Sequence, residues 1–412
     1  MTRWQWLLQR LTRRLWLRAS LIGFLGIATA ALAAVVEGFL PWHLPGTIGA
    51  DAVDSLLNII ASSMLAVTTF SLSVATSAYA SATSNVTPRA TRLLVEDRLT
   101  QNVLSTFVGS FLFAVVGIIL LRTGAYGDRG RVVLFAATIF VVALIVLTLL
   151  RWIDHLTRLG RVGETTERVE DAAREALEAR LTRPYLGGKP LVGPANGIEV
   201  CSTEVGYLQH IDMAALSDWA ESASATIALL HTPGAFLHHG RVIAVVDGPL
   251  DDPTPIRDAF TIGTIRSFDQ DPRFGLAVMS EIASRALSPA VNDPGTAIDI
   301  IGRNLRLLTL WAKGGNAEDV IYPRIHVSPL ADSDLVEDAF LAIARDGAGM
   351  VEVQSRLQKA LMALADQSRP DMRAAALDQS TLALARSDQA LPLPQDRDRL
   401  HAIVRGHRLS AR

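Results

Sequence analysis

Four long stretches with almost no charge, all within the first 150 residues, constrain this chain more than anything else in it. A helix needs about 20 consecutive apolar residues to cross a hydrocarbon layer about 30 Å thick. Residues 19–40 hold one charge, Glu37, near their end. Residues 55–79 lie inside a longer uncharged interval between Asp54 and Arg89. Residues 103–121 and 132–150 contain no charged residue. Leu, Ile, Val and Phe at mid-helix each favour insertion by roughly 0.3–0.6 kcal/mol, so the pattern predicts four transmembrane helices. The Ala-x-Ala sequences between Ala28 and Ala34 also fit a cleaved signal peptide, but the apolar run continues past them to Leu40, far enough to span.

Arginine placement predicts the orientation. Arg3, Arg10, Arg13, Arg14 and Arg18 precede the first run, and residues 41–54 after it hold no Lys or Arg. Arg89, Arg92 and Arg98 follow the second run, and Arg151, Arg158 and Arg161 follow the fourth. Cytoplasmic loops are enriched in Lys and Arg, so the N-terminus, the middle loop and everything after residue 150 are expected in the cytoplasm. Arg122, Arg129 and Arg131 in the third loop oppose this. Trp4, Trp6, Trp16, Trp42 and Trp152 fall where interfacial aromatics are expected. The formal net charge of −2 gives no nucleic-acid footprint. A lone cysteine, Cys201, excludes an internal disulfide and a Cys-based zinc site, and it suits a reducing compartment.

The second run is unlike the others because it is rich in hydroxyls. Ser62, Thr69, Ser73, Thr76 and Thr83 recur at steps of seven, four, three and seven, which places them on one helical face. Such a face serves close helix–helix packing, where each hydrogen bond across helices is worth about 0.6 kcal/mol, or it lines a water-filled path in an oligomer, or the segment is an interfacial or broken helix.

After residue 150 charges return at ordinary density, and the spacing predicts a cytoplasmic α+β domain. Expected boundaries are 1–157 for the four-helix membrane part, 158–195 for a connecting helix and a Pro/Gly linker, 196–255 for a small β-module, and 256–412 for a helical region. Residues 197–204 and 206–211 read as a hairpin, Asp212 as the cap of a helix over 213–223, and 226–230 and 241–246 as further strands. Gly206-Tyr207 with Ile211, followed by Pro233-Gly234 and Gly240, resembles half of a biotinyl/lipoyl-type barrel sandwich. No lysine lies between Lys189 and Lys313, so covalent attachment of either group is excluded and no cofactor is expected. Helices are expected at 256–269, 273–287, 294–313, 332–345, 349–367, 371–388 and 394–405. The adjacent pair His238 and His239 would point to opposite faces of a strand, which argues against zinc with His231, and no metal is expected. No P-loop, dinucleotide fingerprint, Gly-x-Ser-x-Gly elbow or His-Glu-x-x-His motif is present.

One stretch concentrates polar chemistry: RSFDQDPRFGLAVMSEIASRALSPAVNDPGTAID, residues 266–299. Asp271-Pro272, Ser288-Pro289 and Asp293-Pro294 each read as a helix start, with the polar residue as cap and proline in the first turn. Arg266, Asp269, Asp271, Glu281, Arg285, Asn292 and Asp293 would then be able to meet across the corners, as a salt-bridge and capping cluster or as a site for an anion, a divalent metal or a small ligand. Together with residues 62–94 and GYLQHID at 206–212, this stretch is similar to a family of predicted bacterial membrane proteins catalogued as domain of unknown function twenty-two fifty-four. The resemblance follows nearly the whole chain in order and implies a bacterial inner-membrane location with no assigned activity. The chain departs from the family pattern at Ala290 and Gly295, where the family has Gly and a bulky residue.

The leading expectation is a non-enzymatic homo-oligomer in a lipid bilayer, without nucleic-acid partners, whose cytoplasmic domain assembles the membrane part and which acts as a pore or in transport. A membrane-tethered enzyme or ligand-binding protein using residues 266–296, and a scaffold recruiting cytoplasmic partners, are the alternatives.

Overall fold

A computed structural model describes residues 15–36, 50–95, 97–315, 317–367 and 369–410. The expected anchors Trp4, Trp6 and Trp42, together with Arg3, Arg10, Arg13, Arg14 and Glu37, lie outside them. Two compact units divide the chain, one within residues 7–165 and one within residues 166–412.

In the first unit the apolar runs become helices, since a chain in lipid must satisfy its backbone polar groups within the segment. The elements are α1 (Leu15–Val36), α2 (Ala50–Asn85), α3 (Pro88–Val95), α4 (Arg98–Arg122) and α5 (Asp128–Leu156). Among the described residues, Asp51–Ser84, Arg98–Arg122 and Gly130–Leu156 are long and apolar enough to cross a membrane. The apolar part of α1 is described over Ser20–Leu32, shorter than a span, and residues 37–40 of the expected run lie outside the described ones. At 36 residues, α2 is about 54 Å long, well beyond the hydrocarbon thickness.

Helices α1 and α4 meet backbone to backbone. A Cβ on Gly26 would lie 2.5 Å from the Gly109 carbonyl oxygen, and one on Gly109 would lie 3.0 Å from the Ile22 carbonyl oxygen. Small residues permit this approach where lipid supplies no hydrophobic drive between helices. The Tyr126 hydroxyl donates to the Ala30 carbonyl at 2.6 Å and ties the α4–α5 loop to α1.

The second unit contains α6 (Val162–Thr182) from Thr166 onward, then β1 (Lys189–Pro190), β2 (Ile198–Cys201), β3 (Gly206–Ile211), α7 (Met213–Ser222), β4 (Thr226–Leu229), β5 (Phe236–Leu237), β6 (Val242–Asp247), α8 (Thr254–Asp258) and β7 (Phe260–Gly263). One further strand, β8 (Ile325–Val327), arrives from far along the chain. A five-stranded sheet runs β1-β8-β4-β6-β2 and a three-stranded one β5-β3-β7.

Two expectations fail here. Residues 197–204 and 206–211 do not form a hairpin, because β2 pairs antiparallel with β6 while β3 lies between β5 and β7 in the other sheet. Five of the six β3 residues are buried, so this strand needs neighbours on both edges, and long-range burial overrides the local turn. Residues 256–269 are not one helix, since only Thr254–Asp258 turns helical and Phe260–Gly263 pairs with β3. The parallel strand β8 likewise interrupts the region expected to be helical from 256 onward.

The remaining helices are α9 (Pro272–Ala286), α10 (Pro294–Lys313), α11 (Asp332–Asp346), α12 (Val351–Ala365), α13 (Pro370–Ala390) and α14 (Pro394–Ser410). Buried polar side chains pin them in register. Trp311 donates its indole N–H to Asp332 at 2.8 Å, Asn304 donates to the Ala339 carbonyl at 2.8 Å, and Ser380 donates to Gln358 at 2.5 Å. Glu170 of α6 takes Arg303 at 2.8 Å and Arg306 at 2.9 Å from α10. Burial pushes the Glu170 carboxyl up, but the two guanidinium groups hold it below its ordinary value.

Candidate functional site

Asp271 and Arg266 form the centre of the polar stretch. Arg266 grips Asp271 with two parallel bonds, Nε to Oδ2 at 2.7 Å and Nη2 to Oδ1 at 3.0 Å. The same carboxylate caps α9, accepting from the backbone N–H groups of Arg273 and Phe274 at 3.1 and 3.2 Å. It is 2% exposed, and desolvation raises its pKa although Arg266 pulls the other way. Phe274 lies under the Arg266 guanidinium, 5.0 Å from ring centroid to Cζ. Asp269 accepts from the Ser267 hydroxyl at 2.8 Å. Arg273 reaches outward to Asp338 and Asp334, both at 2.6 Å.

The other predicted residues stand further along. Glu281 is half-buried within α9 and Arg285 exposed in its last turn. Asn292 takes φ 52°, a left-handed conformation that Asn tolerates, and Asp293 caps α10 through Thr296 N at 3.0 Å and Thr296 Oγ1 at 2.6 Å. These bonds to Thr296 hold the Asp293 carboxyl below its ordinary value. A 15-residue α9 separates Asp271 from Asp293 by about 20 Å, so the two caps belong to opposite ends of the helix. Ser288-Pro289 does not start a helix; the Ser288 carbonyl instead accepts from Val291 and Asn292 in a turn.

The β-module reaches the same centre. Gly234 has φ 102°, and a Cβ there would lie 2.5 Å from Asp271 Oδ2. The Pro233-Gly234 turn therefore sits directly on the buried carboxylate. Gly234→Ala combines a positive-φ penalty with displacement of Asp271, and it is expected to cost about 2 kcal/mol. A matched thermal melt of full-length wild type and variant checks this; an unchanged melting temperature would show that the turn yields freely.

In the membrane unit, Ser62, Thr69, Ser73, Thr76 and Thr83 lie on one exposed face of α2. Each hydroxyl donates to a carbonyl one turn back on its own helix, at 2.7–3.0 Å. Ser71, on the opposite side, is buried and accepts the Trp152 indole N–H at 2.9 Å. Trp152 stacks on His155, whose Nε2 lies 3.1 Å from Asp97 and 3.2 Å from the Thr100 hydroxyl. Sequence reading missed this buried chain, because Asp97 and His155 are 58 positions apart and each looks like an ordinary interfacial residue. It also missed the burial of Arg180, since nothing in an amphipathic helix marks one arginine as buried.

His231 accepts from Arg241 Nε at 3.0 Å, and its pKa is lowered by burial and then by that charge. His238 Nδ1 lies 2.9 Å from the His239 carbonyl oxygen. Among the described residues, no group of three His, Cys, Asp or Glu side chains is placed to hold a metal ion.

The family described as Predicted membrane protein (DUF2254) matches residues 12–363. An uncharacterized protein of Mycobacterium tuberculosis (strain CDC 1551 / Oshkosh) is 26% identical over 254 residues, covering 58% of this chain and 48% of the relative. An uncharacterized protein of Mycobacterium bovis matches over the same shares at the same identity. The chain spans about half the length of the curated relatives it matches. No solved structure matches it significantly.

Proposed function

The chain belongs to the DUF2254 family of predicted membrane proteins, and on that premise we propose that it is a four-span, homo-oligomeric protein of the bacterial inner membrane whose α2 hydroxyl face lines a water-filled path between copies. The fourth span is α1, whose 22 residues match the length a crossing requires. The distribution of arginines supports a cytoplasmic N-terminus and C-terminal unit. The carrying observation is the exposed stripe of Ser62, Thr69, Ser73 and Thr76, with each hydroxyl satisfied by its own helix. Such a stripe needs no partner in the same chain, yet it offers water more than lipid can use. Four helices enclose too little space for a path, so several copies are required.

Single cysteines at these four positions, in a Cys201→Ser background, test the proposal in native membranes. Each is expected to react with a membrane-impermeant maleimide and to cross-link into disulfide dimers, while cysteines at the exposed positions Phe140 and Leu147 of α5 do neither. Cross-linking without labelling would leave a packing interface and sink the path. Neither labelling nor cross-linking would place the face in lipid and sink the whole reading.

A further inference from the structure

A cavity of about 170 Å³ lies within the second unit, between the end of α6, the start of α7 and the loop before α9. Arg180 is among the residues that line it. This side chain is 3% exposed, and its Nη2 donates to the Gln270 carbonyl at 3.3 Å. Its Nη1 is buried and has no hydrogen-bond partner among the described residues. No carboxylate is in direct ion-pair contact with it among the described residues; the nearby Asp271 is taken by Arg266. Burial brings Arg180 down to about 10, so the group stays cationic at neutral pH. A buried charge whose nearby carboxylate already serves another arginine costs several kcal/mol, and here that charge belongs to a residue that lines the cavity.

We propose that this cavity binds a small organic monocarboxylate, its carboxylate on Arg180 and its short apolar body against Ile211, Met213 and Tyr322. Ile211 and Met213 are both buried and both line the cavity, which suits carbon rather than a second charged group. Arg183, also in the lining, is already held by Glu318 at 2.7 Å. Asp269 lines the cavity too, so a dianion such as phosphate would meet repulsion that a single negative charge tolerates. An apolar cavity of about 150 Å³ holds benzene, which limits the ligand to about ten non-hydrogen atoms. The site is independent of the path proposed for the membrane unit.

Isothermal titration of the full-length protein in detergent tests this, with benzoate and butyrate as probes and benzamide and inorganic phosphate as comparisons. Saturable binding of benzoate or butyrate is expected, at least tenfold tighter than benzamide or phosphate. Arg180→Met is expected to abolish it and Arg180→Lys to weaken it about tenfold, since one ammonium cannot reproduce a planar fork. Ala179, an exposed residue of the lining, provides a variant that leaves the buried wall intact: Ala179→Phe is expected to block entry. If Arg180→Met fails to fold, Ala179→Phe and the benzamide comparison still decide. Absence of binding by both carboxylates, equal binding of benzamide, preference for phosphate, or binding unchanged in Ala179→Phe would each overturn the proposal.

Discussion

Replacing Asp271 with alanine is expected to destabilise the second unit by about 3–4 kcal/mol, lowering its melting temperature by roughly 10 °C. Two losses combine. The cap of α9 is worth about 1 kcal/mol, and the larger part is Arg266, left buried without its carboxylate. Arg266 keeps 21% of its side-chain surface, so water softens the penalty and holds it below that of a fully buried broken pair. Asp271→Asn keeps an oxygen for the cap and loses the charge, and it should fall between wild type and alanine. Asp293→Ala provides the contrast. That carboxylate caps α10 from the surface with no cationic partner among the described residues, so about 1 kcal/mol is expected. Thermal melts of the three full-length variants check the order; equal effects from Asp271→Ala and Asp293→Ala would show that the Arg266 pair contributes nothing beyond a cap.

The second large effect is expected in the membrane unit. Gly26→Leu must push α1 off α4, because the first added carbon already meets a backbone oxygen at 2.5 Å. Backbone cannot swing aside as a side chain does, so the cost should exceed the 1–3 kcal/mol of ordinary overpacking. Gly23 lies one turn away and makes the comparison sharp. A Cβ there meets only the Leu112 methyl at 2.8 Å, the movable end of a flexible side chain. Gly23→Ala is therefore expected to be tolerated and Gly26→Ala to loosen the pair. Thermal melts of the full-length protein in detergent report the difference directly: Gly23→Ala should stay close to wild type and Gly26→Leu should fall well below it. Equal melting temperatures for the two variants would show that the helices do not depend on this crossing.

What could be read from the sequence follows the range of the interaction responsible. The apolar runs of α2, α4 and α5 are legible because hydropathy is summed residue by residue over a window, with no need to know which residues become neighbours. Asp271-Pro272 and Asp293-Pro294 mark helix starts because a cap acts over three residues. Ser288-Pro289 carried the same local signal and forms a turn, since the chain had no room to begin a helix between α9 and α10. The hydroxyl stripe of α2 was legible as a period, and its exposure was not.

The four nearly charge-free runs within the first 150 residues thus specified, by themselves, that the chain belongs in a membrane, and the caps specified where its later helices begin; those are local free energies summed along the backbone. Tertiary structure alone decided the rest. It sent β2 and β3 to different sheets, brought β8 in from residue 325, set Gly234 on Asp271, paired Asp97 with His155 and buried Arg180 beside a cavity. Each of those depends on burial and partnership between residues tens to a hundred positions apart. A desolvated charge or an unpaired strand edge chooses its neighbour only once the chain has collapsed around it.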